Sequence, residues 1–195
     1  MPNLPTNLTL LRIGLIPVLV TFFYLPWEHA RLACALVFAV AGFTDWLDGH
    51  LARKLNLTTR FGAFLDPVAD KLMVAISLVL IVQAEPSPYV AMAAAVIIGR
   101  EITIASLREW MAEVGQRKKV EVSRLGKWKT TLQMVSIFIL LLGMDPEEIA
   151  YRQIGQWLLF VSAILTLWSM VMYLRAALPA LRETSDGVTE KSGEH

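Results

Sequence analysis

Six apolar stretches alternate with short polar connections along this chain, running approximately from Leu8 to Leu25, Ala30 to Asp48, Gly62 to Gln83, Tyr89 to Trp110, Trp128 to Met144 and Gln156 to Leu174. A hydrocarbon layer of about 30 Å takes roughly 20 helical residues to cross, so each stretch predicts a transmembrane helix rather than a strand. The opening residues, NLPTNLTLLRIGLIP, read as a short interfacial piece capped by Thr6, Asn7 or Thr9 ahead of the first span. The first stretch carries Arg12 and lacks both a basic leader and a small-residue cleavage site, so it is expected to remain as a span. No internal repeat or soluble domain interrupts the pattern. Residues 1–180 are therefore expected to form one six-helix membrane domain, and the polar residues 181–195 a tail that frays.

Composition agrees with the pattern. Of 195 residues 55% are apolar and 18% charged, and the mean hydropathy is +0.53. The net charge of +1 gives no overall field that would favour nucleic acid. Cys34 is the only cysteine, which excludes an intrachain disulfide and a cysteine-based metal site.

The basic residues are distributed unevenly. Arg53, Lys54 and Arg60 follow the second stretch, and Arg117, Lys118, Lys119 and Arg124 follow the fourth, with Arg175, Arg182 and Lys191 after the sixth. The opposite connections hold Arg31 and Arg152 beside Glu28, Glu85, Asp145, Glu147 and Glu148. The positive-inside rule then places both termini in the cytoplasm. Trp27 and Trp157 fall near the outer interface, and Trp46, Trp110 and Trp128 near the inner one, as in an aromatic belt.

At the same cytoplasmic end the chain concentrates its acids. Asp45 and Asp48 are three residues apart and share a helix face; Asp66 and Asp70, four apart, do the same on the next helix. Two carboxylate pairs on neighbouring helices make a cage for hard divalent cations such as Mg²⁺ or Mn²⁺, and without cations they would repel one another. Gly49, Ala52 and Gly62 leave room for a bulky group against the backbone, and Arg53 offers a planar fork to phosphate. Pro67 either opens the third helix or kinks it. Arg12 either snorkels to headgroups or turns inward to a phosphate. Further along, Arg100, Glu101, Arg108, Lys127 and Lys129 stand in or beside apolar stretches, where charges face polar cavities or one another. Adjacent helical positions diverge by about 100°, so Arg100 and Glu101 are not expected to pair, and the cations read as a basic pocket for an anionic substrate. Divalent cations could clamp a pyrophosphate, and a carboxylate not committed to metal could take a proton from an attacking hydroxyl.

The pattern Asp-x-x-Asp-Gly-x-x-Ala-Arg, eight residues, then Gly-x-x-x-Asp-x-x-x-Asp, from Asp45 to Asp70, resembles the signature of the CDP-alcohol phosphotransferases, with every specified position filled. The resemblance implies attack of an alcohol on the phosphorus of a CDP-linked lipid, with release of CMP, two divalent cations (Mg²⁺ or Mn²⁺), six transmembrane helices and a homodimer. By the same resemblance Asp45, Asp48 and Asp66 are metal ligands, and Asp70 is the general base with a share in ligation. Gly49, Ala52, Arg53 and Gly62 match the positions that accommodate the cytidine nucleotide. NLPTNLTLLRIGLIP, DPVADKLMVA, GREITIASLREWMAEVG and SRLGKWKTTLQM resemble bacterial members that join CDP-diacylglycerol to glycerol 3-phosphate. Arg100, Arg108, Lys127 and Lys129 would then meet the acceptor's phosphate. This implies a multi-pass protein of the bacterial inner membrane with its active site facing the cytoplasm.

Two other readings compete. The same chemistry could serve serine, inositol phosphate or phosphatidylglycerol as acceptor, a choice on which the acid motif is silent. An ion transporter would use intramembrane acids as a relay, but would want them near mid-membrane and on broken helices in corresponding halves. His50 fills a free position of the motif and reads as an interfacial histidine rather than a ligand.

Overall fold

The structure, a computed structural model, describes residues 4–55, 60–115, 124–144 and 148–191, with side chains described for 7–47, 61–62, 64–115, 129–144 and 148–179. Among the described residues it is all helix: α1 (Leu4–Tyr24), α2 (Ala30–Leu55), α3 (Arg60–Ala84), α4 (Pro88–Glu113), α5 (Arg124–Leu142) and α6 (Ile149–Lys191). Among the described residues, four helices, α1, α2, α4 and α6, are long and apolar enough to cross a membrane, and α5 contains a shorter apolar run, Lys129–Leu142. α3 has ample length, but Arg60, Asp66, Asp70 and Lys71 crowd its first half. The chain is a multi-pass membrane protein, and its outer faces are apolar, with Phe43, Trp157 and Trp168 each more than half exposed.

The expected interfacial piece is not separate from the first span. α1 is continuous from Leu4 to Tyr24: Pro5 lies in its first turn, where a missing N–H costs least, and Pro17 is carried within it. Pro67 lies inside α3 rather than at its start, since the helix begins at Arg60. α6 continues to Lys191, carrying Pro179 within it.

α1 packs on α2 and α3, and α6 on α4 and α5; the two groups meet where α2 and α3 touch α5 and α3 touches α4. Leu19, Phe38, Leu78, Ile97, Ile137, Leu141 and Leu159 fill the core between them. With lipid outside, apolar side chains gain little from leaving water, so close approach through small residues and hydroxyls holds such bundles. The α5–α6 contact shows this. A methyl group on Gly155 would lie 2.7 Å from the Leu140 side chain, and Ser136 donates to the Gly155 carbonyl at 3.1 Å. Buried Cys34 donates through Sγ to the Leu19 carbonyl at 3.6 Å and is simply part of this packing. Tyr24 donates to Gln83 Oε1 at 2.5 Å, and Gln156 donates to Glu85, tying α1, α3 and α6 together at the end opposite the acids.

Candidate active site

A cavity of about 280 Å³ opens between α1, α2, α3, α4 and α5 and is lined by Arg12, Gly42, Asp45, Asp66, Pro67, Asp70, Lys71, Glu101, Thr130 and Gln133 among others. Each acid reaches it for a local reason. Asp45 stands where the apolar run of α2 gives way to polar sequence. Asp66 and Asp70 occupy one face of α3 one turn apart, with Pro67 between them on the cavity wall. One oxygen of each carboxylate lies within 4.8 Å of the others.

The guanidinium of Arg12 completes this cluster. Its Nη1 is 3.3 Å from Asp45 Oδ1 and 3.2 Å from Asp66 Oδ1, and it also donates to Asp70. The side chain is 1% exposed, so Arg12 does not snorkel. It turns inward, the second of the two alternatives left open by the sequence, and pairs with the three carboxylates. One positive group among three carboxylates is the arrangement that low-dielectric surroundings favour, since each acid would otherwise carry an uncompensated charge.

Three half-buried carboxylates converging from two helices are an all-oxygen donor set suited to a hard divalent cation. The residues present therefore fit such an ion. Asp48, the fourth acid of the motif, has its side chain outside the described residues, as do Gly49, His50, Ala52 and Arg53 of α2 and Lys127 of α5. Gly62 is described, half-buried on α3 one turn before Asp66.

The basic residues part company. Arg100 and Lys129 are buried, at 8% and 3% exposure, whereas Arg108 is exposed and is absent from the cavity lining. Contrary to the expectation from their adjacency, Arg100 and Glu101 do pair: Arg100 Nη1 donates to Glu101 Oε1 at 2.5 Å. Long side chains span the angular separation that Cβ directions alone would impose. Lys129 Nζ also donates to Glu101 Oε1, at 3.5 Å. Arg100 is fixed from behind by Ser169 of α6, to which Nη2 donates at 3.2 Å, and by the Tyr173 ring, 5.8 Å from the guanidinium carbon. Sequence reasoning noted Glu101 as an intramembrane charge without assigning it a place in the site. Gln133 and Thr130 were not singled out, although both lie in the SRLGKWKTTLQM segment, because they are ordinary polar residues in an apolar helix.

These features define a class. The family model for CDP-alcohol phosphatidyltransferase matches residues 2–168, and the chain belongs to that family. Among its relatives, a CDP-diacylglycerol–glycerol-3-phosphate 3-phosphatidyltransferase of Pectobacterium atrosepticum is 54% identical over 181 residues, covering 93% of this chain and 98% of that protein. Proteins of the same name from Sodalis glossinidius and Salmonella choleraesuis are each 54% identical over 175 residues, covering 90% of this chain and 94% of theirs.

Proposed function

We infer that this chain transfers the phosphatidyl group of CDP-diacylglycerol to sn-glycerol 3-phosphate, giving phosphatidylglycerophosphate and CMP. The observation that carries this reading is the convergence of Asp45, Asp66 and Asp70 on one cavity, in a chain more than half identical to proteins named for that reaction. Asp45, Asp48, Asp66 and Asp70 are assigned as ligands of two divalent cations, Mg²⁺ or Mn²⁺. Such cations, when bound, neutralise the pyrophosphate and support departure of CMP. The chain's own residues do the rest. Gly49, Ala52 and Gly62 admit the cytidine nucleotide against the helix backbones, and Arg53 offers its fork to phosphate oxygen. Asp70 accepts the proton of the acceptor's hydroxyl as that oxygen attacks phosphorus.

The acceptor's phosphate is assigned to Arg100 and Lys129, the two buried cations one contact removed from the cavity through Glu101. Lys127 stands two residues before Lys129 at the start of α5, and Arg108, exposed, is a lesser candidate. The lysine and arginine distribution supports six spans with both termini and the catalytic cavity on the cytoplasmic side of a bacterial inner membrane. A homodimer is the assembly expected from the family resemblance.

The test is CMP release by detergent-purified protein given CDP-diacylglycerol and Mn²⁺, with glycerol 3-phosphate, serine, inositol phosphate and phosphatidylglycerol in parallel. Release with glycerol 3-phosphate alone is expected. Release with another acceptor alone would overturn the specificity, and failure to bind a cytidine nucleotide would overturn the chemistry.

A further inference from the structure

Glu101 forms ion pairs with both Arg100 and Lys129, and of these three residues it is the one that lines the cavity. The two cations come from different helices, α4 and α5, and both are buried. Like charges so placed repel, and a carboxylate between them offsets that repulsion and fixes where the two nitrogens point. An anion entering from the acid-lined side therefore meets Glu101 before it meets either cation. A phosphate group would make the same kind of bonds to Arg100 and Lys129 that the carboxylate makes now, and can take them only by displacing it.

We propose that Glu101 is a positioning residue for the acceptor, an internal anion that holds Arg100 and Lys129 ready and admits only ligands able to outcompete a carboxylate for them. The inference rests on the acceptor-pocket reading given above. A phosphate monoester with a second pKa near 6 is largely dianionic at neutral pH and competes well for two cations. A neutral hydroxyl compound carries nothing to exchange for the carboxylate and leaves the Arg100–Glu101–Lys129 cluster closed. Glu101 thereby confers preference for a phosphorylated acceptor without touching the reacting atoms.

The experiment compares Glu101→Gln, Glu101→Asp and Lys129→Met with the unaltered protein in detergent with Mn²⁺, reading KM for glycerol 3-phosphate, KM for CDP-diacylglycerol, kcat, and inhibition by inorganic phosphate. Glu101→Gln keeps the side chain's shape but removes the competing charge. It should lower both the acceptor KM and the inhibitory phosphate concentration by roughly three- to tenfold, the effect of one screened charge near a protein surface, with KM for CDP-diacylglycerol unchanged. Glu101→Asp withdraws the carboxylate by one methylene and should shift both in the same direction by less; it carries the test if the glutamine variant does not fold. An acceptor KM that is unchanged or raised, with phosphate inhibition no stronger, overturns the proposal. Lys129→Met should raise the acceptor KM selectively. If it does while the Glu101 variants show no gain, only the role of Glu101 falls; if it does not, the acceptor pocket itself is misplaced and the inference falls with it.

Discussion

Replacing Arg12 with methionine removes the positive group that, among the described residues, is held between Asp45, Asp66 and Asp70, while keeping much of the apolar stem. The three carboxylate oxygens lie within 4.8 Å of one another, and at an effective dielectric of about 20 two unit charges at that separation repel by roughly 3.5 kcal/mol. The carboxylates are 39–45% exposed, so water screens much of this. The net loss expected is about 2–4 kcal/mol, in the range found when one partner of a partly buried charge cluster is removed. For a chain of this size that corresponds to a fall in Tm of about 5–10 °C. The assay is thermal unfolding in detergent, with EDTA and with excess Mn²⁺. A divalent cation bound to the folded protein stabilises it by mass action and takes over the neutralisation, so most of the loss should disappear in Mn²⁺. The apparent affinity for Mn²⁺ should also rise, because a competing internal cation is gone. A loss of equal size in both conditions, with Mn²⁺ affinity unchanged, would refute this reasoning and make Arg12 a packing residue.

Asp70→Asn should retain cytidine-nucleotide binding but reduce kcat by at least about a hundredfold, because the amide keeps the shape and loses the basicity; near-normal turnover would remove Asp70 from the base role. Gly155→Val should lower stability by about 1–3 kcal/mol through overpacking at the α5–α6 contact, where even a first carbon would press on Leu140. Thermal unfolding reads this directly, and an unchanged Tm would mean that the helices separate easily there. Ser169→Ala removes the hydroxyl behind Arg100 and should raise KM for glycerol 3-phosphate about two- to fivefold, as expected for one lost hydrogen bond to a charged group acting at second hand. An equal rise for CDP-diacylglycerol would argue against an acceptor-side role for Arg100.

Helices and their order were legible in the chain because each is encoded by a local quantity, a run of apolar residues bounded by polar ones. The pairing of Asp66 with Asp70 on one face was legible too, since spacing along a helix fixes direction. Where long charged side chains end up was not. Arg12 could be read equally as reaching out to headgroups or inward, and Arg100 and Glu101 were expected to diverge. Their flexible stems let the ends travel several ångströms, so the partner is chosen by what other helices bring near, not by Cβ direction. Only packing of α1 against α2 and α3 puts Arg12 among the aspartates, and only packing of α6 against both α4 and α5 brings Ser169 and Lys129 to the Arg100–Glu101 pair. The sequence by itself determined the membrane class, the helix order and the carboxylate motif, all of which depend on near neighbours in the chain. The tertiary structure decided which charges meet, because those contacts join residues as far apart as Arg12 and Asp70 and depend on how whole helices pack.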